Sequence, residues 1–380
     1  MKKIIFAGVS AAALLVAAPA LAQDSTITQN GNADAANVDQ TAAGSSTTST
    51  VSQLGNNNVS NVTQSGDGGS VTINQGGNYR AQDSYYADYP GPAASNSAEA
   101  TVNQAANATV AIDQIAVDGG ANRDVKANVT QSASSGGSSA SIYQRVSSAS
   151  NATIAQSGAN GVSTVNQYQG IHTAVNTQYG DADNSLIDQG GASTTAYVTQ
   201  GGAREHSVVN IFGNNDAAYV TQVGQDDQSS VRQGASNAYA SVYQENRDNK
   251  SGINQGEASA ATVNQLGQNG FSAVNQTYGE TATVYQTASA VDAQSTINQG
   301  VGWANHHNSA SVVQSGTTDL STINQNGTNG IAIVGQNGVG DTSLITQNGD
   351  AETANVSQVG DGAYSIVTQS GSGNTATVSQ

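Results

Sequence analysis

A glutamine with Val or Ile two residues before it recurs through this sequence, mostly at the interval that separates Gln336, Gln347 and Gln358. The series opens at Gln29, Gln40, Gln53, Gln64 and Gln75 and closes at Gln325, Gln336, Gln347, Gln358, Gln369 and Gln380. Two stations are irregular: Asn176 replaces the aliphatic before Gln178, and Ile211 takes the glutamine place after Val209. With those two there are 30 stations. From Ser163 onward the residue four before each station alternates between Ser and Ala, as in Ser163, Ala174, Ser185, Ala196, Ser207 and Ala218. The repeat is therefore a pair of segments, about 22 residues long, and the stations make about 15 such units. A period of this length, carried through a chain, predicts stacked coils.

Side chains two apart along a strand share a face. Ser365, Val367 and Gln369 would face one way, as would Ala376, Val378 and Gln380, with a six-residue corner holding two glycines between them. Helical spacings of three and four are missing, so the segments are predicted strands. The expected fold is an all-β solenoid of strand-turn-strand repeats, forming one domain over residues 23–380. Proline cannot donate to a β ladder. Apart from Pro19, the only prolines are Pro90 and Pro92, both in the one wide gap between stations. Residues 76–99, with Tyr85, Tyr86 and Tyr89, are thus expected to be a loop extruded from the stack. Smaller insertions precede Gln131 and Gln314, the latter with Trp303, His306 and His307.

Stacking places the aliphatic residues, Val367 and Val378 among them, in a thin dry seam. The glutamines Gln325, Gln336, Gln347, Gln358, Gln369 and Gln380 would form ladders, each amide donating to one neighbour and accepting from the other. That satisfies a buried polar group which otherwise costs about 1–3 kcal/mol. The pattern starts at Ser25 and runs to Gln380 with no polar cap at either end. Open strand edges template pairing with another chain, and head-to-tail contact that does not close gives a filament. The expected partner is the chain itself.

Lys2 and Lys3, an apolar run from Ile4 to Ala18 and the small-x-small triplet Ala20-Leu21-Ala22 read as a signal peptide over residues 1–22. Its removal leaves eight basic and 27 acidic residues, a net charge of −19. Nucleic-acid binding needs basic stripes, and this chain has none. No later run is long and apolar enough to span a bilayer. There is no cysteine, so repetition must replace disulfide staples.

Asp183, Glu205 and Asp227 stand one full repeat apart, followed by Asn249, and Asp319 and Asp341 form a second such pair. They are expected on one corner of the coil. There they would act as solvated turn residues, would repel and gate assembly by charge, with faster assembly as pH falls, or would share Ca²⁺ through oxygen ligands. Dedicated calcium sites are not expected, because no nonapeptide Gly-Gly-x-Gly-x-Asp repeat is present. His306 and His307 lack a third ligand, no serine–histidine–acid set stands out, and neither a cofactor nor an enzymatic site is expected. A rival reading is a monomeric solenoid presenting a flat face, with Thr296, Asn298, Thr322 and Asn324, to ice or glycan.

The residues Gln369-x-Gly371-x-x-Asn374-x-Ala376-x-x-x-Gln380 resemble the curlin repeat of curli amyloid fibre subunits. Gln53, Gly55, Asn58, Ser60 and Gln64 fit with Ser for Ala, and Gln29, Gly31, Asp34, Ala36 and Gln40 with Asp for Asn. The resemblance covers almost all of residues 23–380. It implies a secreted structural subunit of an extracellular amyloid fibre in the biofilm matrix of a Gram-negative bacterium. It also implies a role in adhesion, a nucleating co-subunit and outer-membrane export machinery as partners.

Overall fold

The computed structural model describes residues 23–41, 43–76, 95–116, 124–146, 149–300 and 307–380. The expected signal peptide lies outside them, as do residues 77–94 of the expected insertion, Trp303 and His306. Among the described residues there is no helix, and the strands form parallel stacked coils. The fold is a β-solenoid whose repeat is the interval that pairs Gln325 with Gln347.

The chain divides into two compact units, ending and beginning at Thr194 and Thr195. In the first, Asp24–Asn32, Thr48–Asn56, Ser70–Gln75, Thr109–Ala116, Ser139–Val146, Val162–Tyr168 and Asn184–Gln189 stack as one parallel sheet. The intervening strands, from Ala35–Asp39 and Val59–Gln64 to Ser150–Gln156 and His172–Gln178, stack as the other. In the second unit the sheets run from His206–Ile211 to Tyr364–Gln369 and from Thr194–Gln200 to Thr375–Ser379.

Register is set by the repeat itself. Gln325 pairs with Gln347 and Gln347 with Gln369, while Ile323, Ile345 and Val367 align beside them. The other sheet of that unit aligns Val312, Val334 and Val356. These aliphatic residues are buried, as are Ser321, Ser343 and Ser365 in one sheet and Ala310, Ala332 and Ala354 in the other. The Ser/Ala alternation thus marks the two sheets. A one-residue slip would turn every buried side chain outward, which makes the register stringent.

Between strands the backbone bends through a left-handed position in nearly every corner. Asn215, Asn237, Asn269 and Asn329 take it with φ near +60°, a conformation that Asn tolerates better than most residues. Within the expected insertion over 76–99, residues 95–96 and 98–99 are strand. Ser95–Asn96 pairs with Gly55 and Asn56, and Ala98–Gln104 is a full strand in register with Val59–Gln64. The reason is spacing: the strand leading to Gln104 needs its first buried residue six places earlier, at Ala98.

Candidate functional site

Besides its inward serines, the repeat puts two kinds of polar residue inside the coil, and both link neighbouring coils. The first is the glutamine. Gln325 Nε2 donates to Gln347 Oε1 (2.8 Å), and Gln347 Nε2 donates to Gln369 Oε1 (2.9 Å). In the facing sheet Gln314 donates to Gln336 (3.0 Å), Gln336 to Gln358 (3.0 Å) and Gln358 to Gln380 (3.2 Å). The direction is the same at every step. The first unit repeats it, from Gln53 to Gln75 (2.8 Å) and from Gln144 to Gln167 (2.8 Å).

The remaining amide proton crosses the coil. Gln336 donates to the Leu320 carbonyl (3.0 Å), Gln347 to Ile331 (3.0 Å), Gln358 to Thr342 (3.0 Å) and Gln369 to Thr353 (2.9 Å). Each acceptor lies at the start of the preceding strand, in the opposite sheet. One side chain therefore ties its own sheet along the stack and both sheets across the core.

The two irregular stations show what the ladder supplies. Ile211 is buried in register with Gln233, and Gln233 Oε1 has no hydrogen-bond donor. Asn176, in a column of aliphatic residues, donates to the hydroxyls of Ser163 and Ser185, and its own Oδ1 is unpartnered.

The second set consists of the acids and asparagines that stand six before many of the stations. Asp183, Glu205, Asp227, Asp319 and Asp341 are all buried, which corrects the expectation of solvated corner acids. For Asp227, Asp319 and Asp341 the physical reason is hydrogen bonding. The strand ladder provides no acceptor for the N–H at the corner, and buried N–H groups must find one. Asp227 Oδ1 accepts from Asn249 N (2.9 Å), and Asn249 Oδ1 accepts from Gly270 N (2.9 Å). Asp319 Oδ1 accepts from Asp341 N (3.2 Å), and Asp341 Oδ1 from Ala363 N (3.0 Å). The second oxygen turns inward to the same corner: Asp319 Oδ2 accepts from Gly316 N (3.1 Å), and Asp341 Oδ2 from Gly338 N (3.1 Å). A Cβ on Gly316 would lie 1.7 Å from the Gly338 carbonyl oxygen, so only glycine allows this approach.

Sequence reasoning missed Asp216, Glu280 and Glu352, which occupy the equivalent corner before the other sheet and are also buried. Asp216 Oδ1 accepts from Ala238 N (2.8 Å), and Glu352 Oε2 from Gly349 N (3.0 Å). The signal was available: all stand six before a glutamine, the offset of Asp227 and Asp341. A search at the full repeat along one corner does not reach the other.

Burial pushes Asp216, Asp227 and Asp319 up to about 6, against the opposing pull of the N–H groups they accept from. The Asp341 carboxylate adds to the rise at Asp319, and the partly exposed Asp248 and Asp226 add to it at Asp227. Asp226 itself is held below the usual range by Arg204, whose Nε lies 2.7 Å away. Among the described residues no group of three or more His, Cys, Asp or Glu is placed to hold a metal ion. No helix among them is long and apolar enough to cross a membrane.

Residues 349–380 match the family model of the curlin associated repeat. No curated protein matches this chain. The matched stretch holds the strands Thr353–Gln358, Tyr364–Gln369 and Thr375–Ser379. The chain thus carries the curlin repeat there, and each residue of its pattern has a place in the coil: ladder glutamine, corner glycine, corner cap, small inward residue. The matched repeat and the solenoid are consistent with a structural subunit.

Proposed function

We propose that this chain is a secreted subunit of an extracellular, curli-like amyloid fibre, which polymerises by stacking coil edge on coil edge. The observation that carries the reading is the polarity of the glutamine ladder. Except where Ile211 interrupts one column, each ladder glutamine offers an amide donor on one edge of its coil and an amide acceptor on the other, so an exposed edge complements the opposite edge of another copy. Backbone N–H and C=O groups of the same strands repeat that match at the parallel-sheet spacing. The homopolymer would serve as biofilm matrix and adhesive. A nucleating co-subunit and an outer-membrane export apparatus are its proposed partners, and catalysis has no part in the reading.

Electron microscopy and fibre diffraction of the chain without residues 1–22, left in dilute buffer, test it. Unbranched fibres with reflections near about 4.7 and 10 Å are expected. A β-rich particle that stays monomeric at high concentration would sink the fibre and favour the surface-binding solenoid.

The corner acids Asp183, Glu205, Asp227, Asp319 and Asp341 would gate this assembly. Each coil that forms must take its carboxyl out of water, and a protonated carboxyl enters more easily. Burial pushes Asp227 and Asp319 up to about 6, so assembly should accelerate as pH falls through about 6. A lag time equal at pH of about 7.5 and about 5.5 removes the gate without touching the fibre.

A further inference from the structure

We propose that the corner carboxylates also act as locks on Asn-Gly peptide bonds, which makes Asn337 and Asn348 conformationally protected deamidation sites. Asn337-Gly338 and Asn348-Gly349 each follow a ladder glutamine directly, and both asparagine side chains are exposed to water and base. An Asn-Gly pair ages by a defined reaction. The glycine nitrogen gives its proton to hydroxide and bonds to the asparagine Cγ, and ammonia leaves. The resulting cyclic imide takes up water and opens at one of its two carbonyls, to aspartate or to isoaspartate. Electrons and atoms balance with water and hydroxide as the only co-reactants.

In the folded coil that nitrogen is engaged. Gly338 N donates to Asp341 Oδ2 (3.1 Å), and Gly349 N donates to Glu352 Oε2 (3.0 Å). An N–H that donates to a buried carboxylate takes part in a charge-assisted bond. It loses its proton less readily beside a negative charge, and the bond holds the nitrogen away from the attack geometry that an intramolecular reaction needs. Both acids are buried, at 0% relative exposure, so water does not replace them. The same contact that satisfies the corner therefore closes the reaction path.

The consequence bears on the register. Isoaspartate inserts an extra backbone carbon between Gln336 and Gly338, inside the stretch that sets the spacing of one strand from the next. A chain modified before it coils would carry a displaced corner, whereas a chain already coiled would not be modified.

Peptide mapping by mass spectrometry on the full chain tests the proposal. The folded chain and the chain in denaturant are incubated at mildly alkaline pH, beside the variants Asp341→Ala and Glu352→Ala. Deamidation at both sites should be slower in the folded wild type than in denaturant. Asp341→Ala should speed Asn337 about ten- to a hundredfold, the worth of a hydrogen bond to a charged group, and leave Asn348 unchanged. Glu352→Ala should do the reverse. Asp341→Ala also frees Ala363 N, so it could loosen the coil as a whole. In that case Asn337 and Asn348 would rise together, and general rigidity rather than the carboxylate would be the protector. Unchanged rates in both variants would equally overturn the lock.

Discussion

Replacing Gln347 with leucine isolates what one amide of the ladder contributes. The side chain is 1% exposed, accepts from Gln325 Nε2 (2.8 Å) and donates to Gln369 Oε1 (2.9 Å) and to the Ile331 carbonyl (3.0 Å). Leucine has similar bulk and fills the space, but leaves a Gln325 N–H and Gln369 Oε1 without partners. Each orphaned group costs about 1–3 kcal/mol. Together the two cost about 2–6 kcal/mol and burying the leucine returns about 2 kcal/mol, so the net loss is up to about 4 kcal/mol, centred on about 2 kcal/mol. In a solenoid such a loss stays with the neighbouring coils. It should therefore appear as local opening in amide hydrogen exchange. A mid-range loss of about 2 kcal/mol corresponds to a protection drop of about 30-fold in Leu320–Gln325, Thr342–Gln347 and Tyr364–Gln369. The distant strand Ala217–Gln222 should keep its protection. Exchange unchanged within about threefold in the three flanking strands would show that the ladder fills space without adding stability, and the argument from hydrogen bonding would fail.

The natural gap gives the reciprocal experiment. Ile211→Gln supplies the donor that Gln233 Oε1 lacks. It should raise exchange protection in Gln228–Gln233, against an aliphatic burial loss of about 1–2 kcal/mol. For Asp216, Asp227 and Asp319 the folded value, about 6, lies above the ordinary carboxylate value. Their protonation therefore supports the fold, fully below pH of about 4, and the support is lost as pH rises through about 6. Denaturant midpoints measured from about pH 4 to 8 should fall across that window. Asp227→Asn keeps an oxygen for Asn249 N, as Asn249 itself does for Gly270 N. It should raise stability at neutral pH by about 1–2 kcal/mol and flatten part of the pH slope. A slope equal to that of wild type would place the titration elsewhere. Gly316→Ala drives a Cβ to 1.7 Å from the Gly338 carbonyl oxygen. It should cost several kcal/mol, about the tail reserved for overpacking, read as a lower melting temperature.

Much of this protein was legible in the sequence because its physics is one-dimensional. Stacking identical coils makes the sequence period the spatial period, so a glutamine at a fixed interval and an alternating Ser or Ala place the strands and assign them to two sheets. The same offset told that Gln347 meets Gln325 and Gln369, since only those residues share its column. The two departures, Asn176 and Ile211, were visible as departures and proved to sit where an amide or an aliphatic partner is missing.

The corners were another matter. A pattern of acids one repeat apart says that they stack, but not whether they stack in water or inside the coil. That depends on the direction of the bend after Gly316 or Gly338, and on which backbone N–H is left without a partner there. Only the folded corner creates that vacancy, because there N–H groups such as those of Gly338 and Asp341 meet carboxylate oxygens instead of the carbonyls of a neighbouring strand. Tertiary structure therefore decided that Asp227, Asp319 and Asp341 are buried acceptors, and that Asp216 and Glu352 belong with them. The sequence determined the coil, its register and its ladder, through periodicity alone. The environment of each carboxyl was decided by three-dimensional closure, since burial and hydrogen-bond supply are properties of neighbours that the period does not name.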